Sequence, residues 1–523
     1  MASGTGGLHR KERKNTEMKQ NRNRTWRSFF TVLLAAAVLT LSLTACGGPQ
    51  ALSAGTSAVS ASSARSGETS ASSAATVSSV ASVSPAAPAS SAAVSAVSSS
   101  SAEPAAKPAG KTEARPGDGV QTVQKITASV PEPERLKTLR VSLGAAPQSG
   151  YAKIDQRDGF GALSAQTEKD LYAQIGESVY QVADSKGSTG YYSMQPVELP
   201  SGMSEAQASE ALVAYQDDNP QVFWLANAYA IGTQDGKTYL LLYSNLSRQQ
   251  CGEAIPKLTA AVTEAMRTIP AGRSEFEREE AVFDFIADRC SYDNAAASDS
   301  TLWQSYTAYG ALINGRAVCE GYSRAVQLLC GYAGVRCALV KGTANGGNHM
   351  WNCVRVDGEW YNLDLTWCDG SSRIYNYFNV TDAVLDTTHA PAAAVSTLTD
   401  EAIGNAAGFY NLFVPTCNST LANYFIVRGI HVGEPEAPAT DAVVSAVAER
   451  LKAGDGTVAF YIGPNGDFDT AVRVLLQAAP NYLEAAARQA GKTVNLQSVR
   501  YVADVQDRGI NIIVTYGGGA EPA

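Results

Sequence analysis

The strongest constraint in this chain is a pair of alternating apolar and polar runs, 349–356 and 359–366, separated only by Asp357-Gly358. A two-residue Asp-Gly link between such runs predicts a tight β-hairpin, because both central positions must adopt φ > 0. If Val356 opposes Glu359, then His349 faces Thr366 and Trp351 faces Asp364. With a side-chain period of two, His349, Trp351, Asp364 and Thr366 share one face, with Asp364 the diagonal neighbour of His349. A slip of one residue would send Asp364 to the other face.

An imidazole beside a carboxylate is a general-base pair in search of a nucleophile. Upstream, Tyr309 to Ser323 reads YGALINGRAVCEGYS, and helical periodicity begins at about Cys319 and continues through Ala325, Leu328 and Leu329. Cys319 is therefore expected on the first turn of a helix, where the positive end of the dipole favours a thiolate. Glu320 opposes that effect slightly. Of the four histidines, His9 lies in a basic leader, and His389 and His431 lie outside the predicted hairpin. His349 is thus the expected base.

Three blocks, Ala317-Val318-Cys319-Glu320-Gly321-Tyr322, His349-Met350-Trp351-Asn352 and Trp360 to Trp367 (WYNLDLTW), resemble the bacterial transglutaminase-like domain in order and spacing. The resemblance runs from near Arg273 to about Asp369. It implies an α+β, papain-like core in which a helix bearing the cysteine packs on an antiparallel sheet. It also implies a catalytic set of Cys319, His349 and Asp364, acyl transfer through a thioester, and an oxyanion site using the Cys319 backbone N–H. A second oxyanion donor is sought upstream at Tyr309, with Gln304 or Trp303 behind it. Trp351 and Trp303, with Trp360 and Trp367, are candidates either for a substrate groove or for plain core packing. No cofactor is expected. Cys353 shares the parity of His349, but with no Cys-x-x-Cys pair a zinc site is not expected.

The remainder divides by composition. In residues 1–45, eight basic and two acidic residues precede or flank an apolar run from Phe29 to Leu43, too short to span a bilayer. Leu43-Thr44-Ala45-Cys46 resembles the lipobox of bacterial lipoproteins, which implies diacylation of Cys46 and anchoring on the outer face of the cytoplasmic membrane. Residues 46–119 are rich in Ser, Ala, Pro and Gly with almost no large apolar side chain, a composition that cannot offset its ordering entropy and reads as a disordered tether. Residues 120–250 are expected to form a small α+β unit. Helices are read at 167–183 and 204–215, a buried strand at 221–225, and a hairpin around Gln234-Asp235-Gly236. A transglutaminase-like unit at 251–395 and a C-terminal α/β unit at 396–523 follow.

Loss of the leader would take the net charge from −9 to −15, which offers no electrostatic attraction to nucleic acid or anionic lipid. Lipid on Cys46, rather than charge, would hold such a chain at a membrane. Apart from Cys46 and Cys319, seven cysteines remain, an odd number whose spacing assigns no pairs. The expected partner is a protein or peptide substrate of the cell envelope. Amide hydrolysis, amine-accepting protein cross-linking and a non-catalytic binding module all remain open at this point.

Overall fold

The computed structural model describes residues 119–131, 136–139, 152–269, 272–433 and 440–517. The leader, Cys46 and all of the tether but Gly119 lie outside the described residues. Among the described residues, no helix is long and apolar enough to cross a membrane.

The fold is α+β. Helices α1 (Gln166–Ser178) and α2 (Glu205–Asp218) precede the hairpin β1 (Leu225–Gln234) and β2 (Lys237–Ser244). The turn between the strands uses Asp235 and Gly236, both at positive φ, as the sequence requires of a two-residue link. Helices α3 (Arg248–Thr268) and α4 (Glu275–Arg289) follow. Each opens on a serine whose hydroxyl caps the first turn, with a Gln or Glu three residues on closing the box.

Residues 221–225 depart from the expected strand. Val222 N–H bonds the Asn219 carbonyl and Leu225 N–H bonds the Val222 carbonyl, so the segment is a pair of consecutive turns. The indole of Trp224 donates to the Val179 carbonyl at 2.9 Å. The apolar run is buried, as expected, but by turns anchored after Pro220 rather than by a strand ladder.

At the centre stands α5 (Cys319–Tyr332), of which all but Arg324 is buried. It lies against a five-stranded antiparallel sheet built from β3 (Arg336–Ala344), β4 (Gly347–Val356), β5 (Glu359–Leu363), β6 (Phe378–Val380) and β7 (His389–Pro391), in the order β6-β5-β4-β3-β7. Two hydrogen bonds fix the helix to β4. Ser323 Oγ donates to the Met350 carbonyl at 3.0 Å, and Asn352 Nδ2 donates to the Ser323 carbonyl at 3.1 Å.

The register of β4 and β5 is the one the Asp357-Gly358 turn predicts, running from Val356 opposite Glu359 to Asn352 opposite Leu363. The ladder then ends. Asp364 caps a one-turn helix, α6 (Leu365–Cys368), accepting from the Trp367 N–H with Oδ1. Trp351 and His349 therefore do not face Asp364 and Thr366 across a ladder. An Asp followed three residues on by an unpaired N–H is a better helix cap than a strand residue, and this preference overrides the alternating pattern.

One apolar core runs without a break from Val120 through α2, α3, α4 and α5 to Phe425, so the N-terminal helices share it across position 250/251. A second core belongs to the C-terminal four-stranded sheet (order 430–432, 457–462, 509–513, 500–504) and the helices Asp441–Ala453 and Phe468–Ala490. Tyr410, Tyr424 and Phe425 pack into the first core, and Cys417 joins the cluster behind β3 and β4.

Gly321 decides how closely α5 approaches its flanking loop. A Cβ there would stand 2.4 Å from the Ser305 carbonyl oxygen and 2.8 Å from Ala317 Cβ. Gly321→Ala should therefore cost about 1–3 kcal/mol through overpacking, read as a lowered urea midpoint at unchanged slope. An alanine variant as stable as wild type would refute this contact.

Candidate active site

Val318 precedes α5 in extended conformation and offers no capping side chain, so the first amides of the helix are open to other acceptors. Cys319 occupies the first helical position and is wholly buried. Its thiol lies within hydrogen-bonding reach of His349. His349 Nε2 is taken by Asp364 Oδ2 at 2.7 Å, which leaves Nδ1 as the ring nitrogen to serve the sulfur.

The charges in this group shape one another. Burial pushes the His349 imidazole towards its neutral form, but the facing Asp364 carboxylate and the Cys319 sulfur outweigh it and hold its pKa up at about 10. For Asp364 burial acts upward, and the opposing charge and hydrogen bonds of His349, with a further bond from His389, bring it well below the ordinary carboxylate range. The arrangement is that of a carboxylate and a protonated imidazole beside a sulfur.

His389, set aside in the sequence because it lies beyond the hairpin, joins the same carboxylate. Its Nε2 stands 3.1 Å from Asp364 Oδ2 and its Nδ1 2.8 Å from Thr388 Oγ1. Strand β7 delivers it by pairing His389 with Ala344 on the far side of β3, a long-range contact that no local pattern announces. The donor atoms of His349, Asp364 and His389 lie within 4.8 Å of one another. Ligands of a tetrahedral zinc, each about 2.0–2.1 Å from the metal, stand roughly 3.3 Å apart. An Nε2–Oδ2 separation of 2.7 Å is instead that of a direct charge-assisted hydrogen bond.

Tyr292 was also invisible in the sequence. It is buried, and the backbone amide of Cys319 lies within hydrogen-bonding reach of its hydroxyl. Burial raises its pKa, and the nearby Cys319 and Asp364 add to that rise, so the phenol stays protonated. The expected oxyanion candidates have the following partners. Tyr309 stacks on Phe223 with ring centroids 4.6 Å apart, and the Gln304 side chain accepts from Asn314 Nδ2 at 3.0 Å.

Of the tryptophans, Trp351 is core: it is almost fully buried, and its indole donates to Asn362 Oδ1 at 3.2 Å. Trp367 packs against the His389 ring at 4.7 Å and the His349 ring at 5.9 Å. Trp360 packs edge-on against Phe413. Trp303, by contrast, lines an open cleft of about 820 Å³ together with Val120, Gln121, Tyr306 and Asn348, the neighbour of His349. Glu320 is buried and salt-bridged to Arg324 at 2.9 Å, which limits its opposition to a thiolate. All eight described cysteines are buried, with Cys353 and Cys417 sulfurs 3.8 Å apart.

The model of the transglutaminase-like superfamily matches residues 263–365. Kyphoscoliosis peptidase from Homo sapiens and its counterpart from Mus musculus are each 29% identical over 109 residues, 18% of this chain and 16% of the relative. The match thus spans about one-sixth of those relatives' length. A solved structure described as a TGase is similar at 16% identity and a TM-score of 0.20, over 39% of this chain and 58% of that one.

Because the folded-state pKa of His349 is raised above the unfolded value of about 6.5, the folded chain binds the extra proton between that pH and about 10. The stability this supplies is full below the unfolded pKa and fades as pH rises through the window. Urea unfolding should show the advantage of wild type over His349→Gln shrinking from near pH 6 to near pH 9; an advantage growing with pH would contradict a protonated imidazole.

Proposed function

Residues 263–365 form a transglutaminase-like domain, and from that premise we propose that the chain is a cysteine acyl-transfer enzyme that hydrolyses peptide or side-chain amides of cell-envelope substrates. The observation that carries this reading is the buried set in which Asp364 holds His349 at 2.7 Å and His349 reaches Cys319.

In the proposed reaction the Cys319 thiolate attacks the amide carbonyl carbon. The C–N bond breaks as the His349 imidazolium gives its proton to the leaving amine, and a thioester remains. Water, deprotonated by the now neutral His349, attacks the thioester, releasing the acid and restoring the thiol. Asp364 fixes the ring orientation and stabilises the imidazolium throughout. An oxyanion would be met by backbone amides at the start of α5, the positive end of a 14-residue helix.

Envelope extracts incubated with wild type should yield peptide ends absent from Cys319→Ala digests, and on any substrate so found the rate should fall by at least about a thousandfold. His349→Gln should behave alike. Isopeptide masses in place of new ends would favour cross-linking over hydrolysis, and no Cys319-dependent product of either kind would leave a binding module.

The proposed location is the outer face of the bacterial cytoplasmic membrane, with Cys46 carrying lipid. It is supported by the basic leader, the apolar run and the Leu43-Thr44-Ala45-Cys46 junction. Two acyl chains suffice for stable anchoring where one does not. Cys46→Ala should abolish fatty-acid labelling and release the chain from the membrane fraction; labelling that survives the substitution would defeat the assignment.

A further inference from the structure

The residues that cover Cys319 belong to the chain itself. Gly119 and Val120 are buried, 200 residues upstream of the nucleophile. The Gly119 carbonyl oxygen accepts from the Cys319 thiol at 3.3 Å and from the Glu320 backbone N–H at 3.4 Å. Its oxygen therefore lies beside the sulfur and on an open amide of a helix N-terminus, as the carbonyl oxygen of a peptide held in this cleft would.

The segment continues in a fixed path. Gln121 N–H donates to Glu320 Oε2 at 2.8 Å, and its side chain bonds the Ser300 carbonyl and Asn227. Val123 N–H bonds the Ala407 carbonyl at 2.7 Å. Gln124–Lys125 then joins β1 as a parallel strand. The bonds to Glu320, Ala407 and β1 use the main chain, as an extended peptide lying in a cleft would use it.

The position over the sulfur excludes a side chain. A Cβ on residue 119 would stand 2.5 Å from Cys319 Sγ and 3.1 Å from Tyr292 Oη. We propose that the cleft at Cys319 is an acyl-donor site for an extended peptide with glycine over the sulfur, and that residues 119–125 are its resident occupant. The inference rests on the acyl-transfer reading above. It names the substrate class as glycyl peptide and makes displacement of this strap a condition of turnover.

The test is the iodoacetamide labelling rate of Cys319, read on tryptic peptide 317–324, whose single cysteine is Cys319. Wild type should label slowly. Gly119→Val should label at least about tenfold faster while buried Cys337 stays protected, which rules out general loosening. Gln121→Pro, which removes the N–H bonded to Glu320, should act in the same direction. An acetylated peptide with the sequence of residues 119–124, added to the Gly119→Val chain, should slow labelling again, and the same peptide with valine in first place should not. Equal labelling of wild type and Gly119→Val, or equal protection by both peptides, overturns the proposal. His349→Gln added to Gly119→Val separates the two readings. Fast labelling that no longer needs His349 would defeat the enzyme reading and leave the strap, whereas fast, His349-dependent labelling of wild type would defeat the strap and leave the enzyme.

Discussion

The site turns on one buried carboxylate. Asp364 is almost fully excluded from water, where an isolated charge would be untenable. It is held by three donors: the His349 and His389 imidazoles on Oδ2 and the Trp367 N–H on Oδ1. Each donor comes from a different piece of backbone, a central strand, an edge strand and a one-turn helix. The carboxylate therefore ties together the sheet edge, the sheet centre and the chain that leaves β5. Its negative charge keeps His349 protonated against the pull of burial.

That dependence explains what the sequence made legible. The Asp357-Gly358 link demands positive φ at both positions, and φ values of 50° and 93° are found there. A turn so constrained determines the register, and the register brings the β4 and β5 ladder to the end where Asp364 emerges. What alternation could not reveal was that the ladder stops at Leu363, three residues short of Thr366. Asp364 is both a strand-pattern residue and a good cap, and the cap wins because Trp367 N–H has no other partner of its own helix. The helices were readable chiefly at their starts, where α2, α3 and α4 carry a serine box, and less so at their ends: α1 stops at Ser178, and Gln181–Ala183 of the helix expected over 167–183 is a strand.

His389 and Tyr292 were unreadable for a different reason. Both arrive through short strands, three and two residues long, whose periodicity is too brief to detect and whose partners are remote. The left-handed Gly315 turns the chain between Tyr309 and Cys319, and the Tyr309 ring stacks on Phe223.

The start of α5 unites these features. Its preceding residue, Val318, cannot cap, so two amides are left for acceptors from outside the helix: Cys319 N–H meets the Tyr292 hydroxyl and Glu320 N–H meets the Gly119 carbonyl. A Ser or Asp at position 318 would place its own oxygen on N–H groups of this first turn, competing with any incoming carbonyl. Glycines flank the same turn on both sides, Gly321 against the Ser305 loop and Gly119 against the sulfur. Backbone can thus approach backbone without an intervening Cβ. A helix end left uncapped and hemmed by glycine is costly as a stability device, and it is what recognition of a peptide main chain requires.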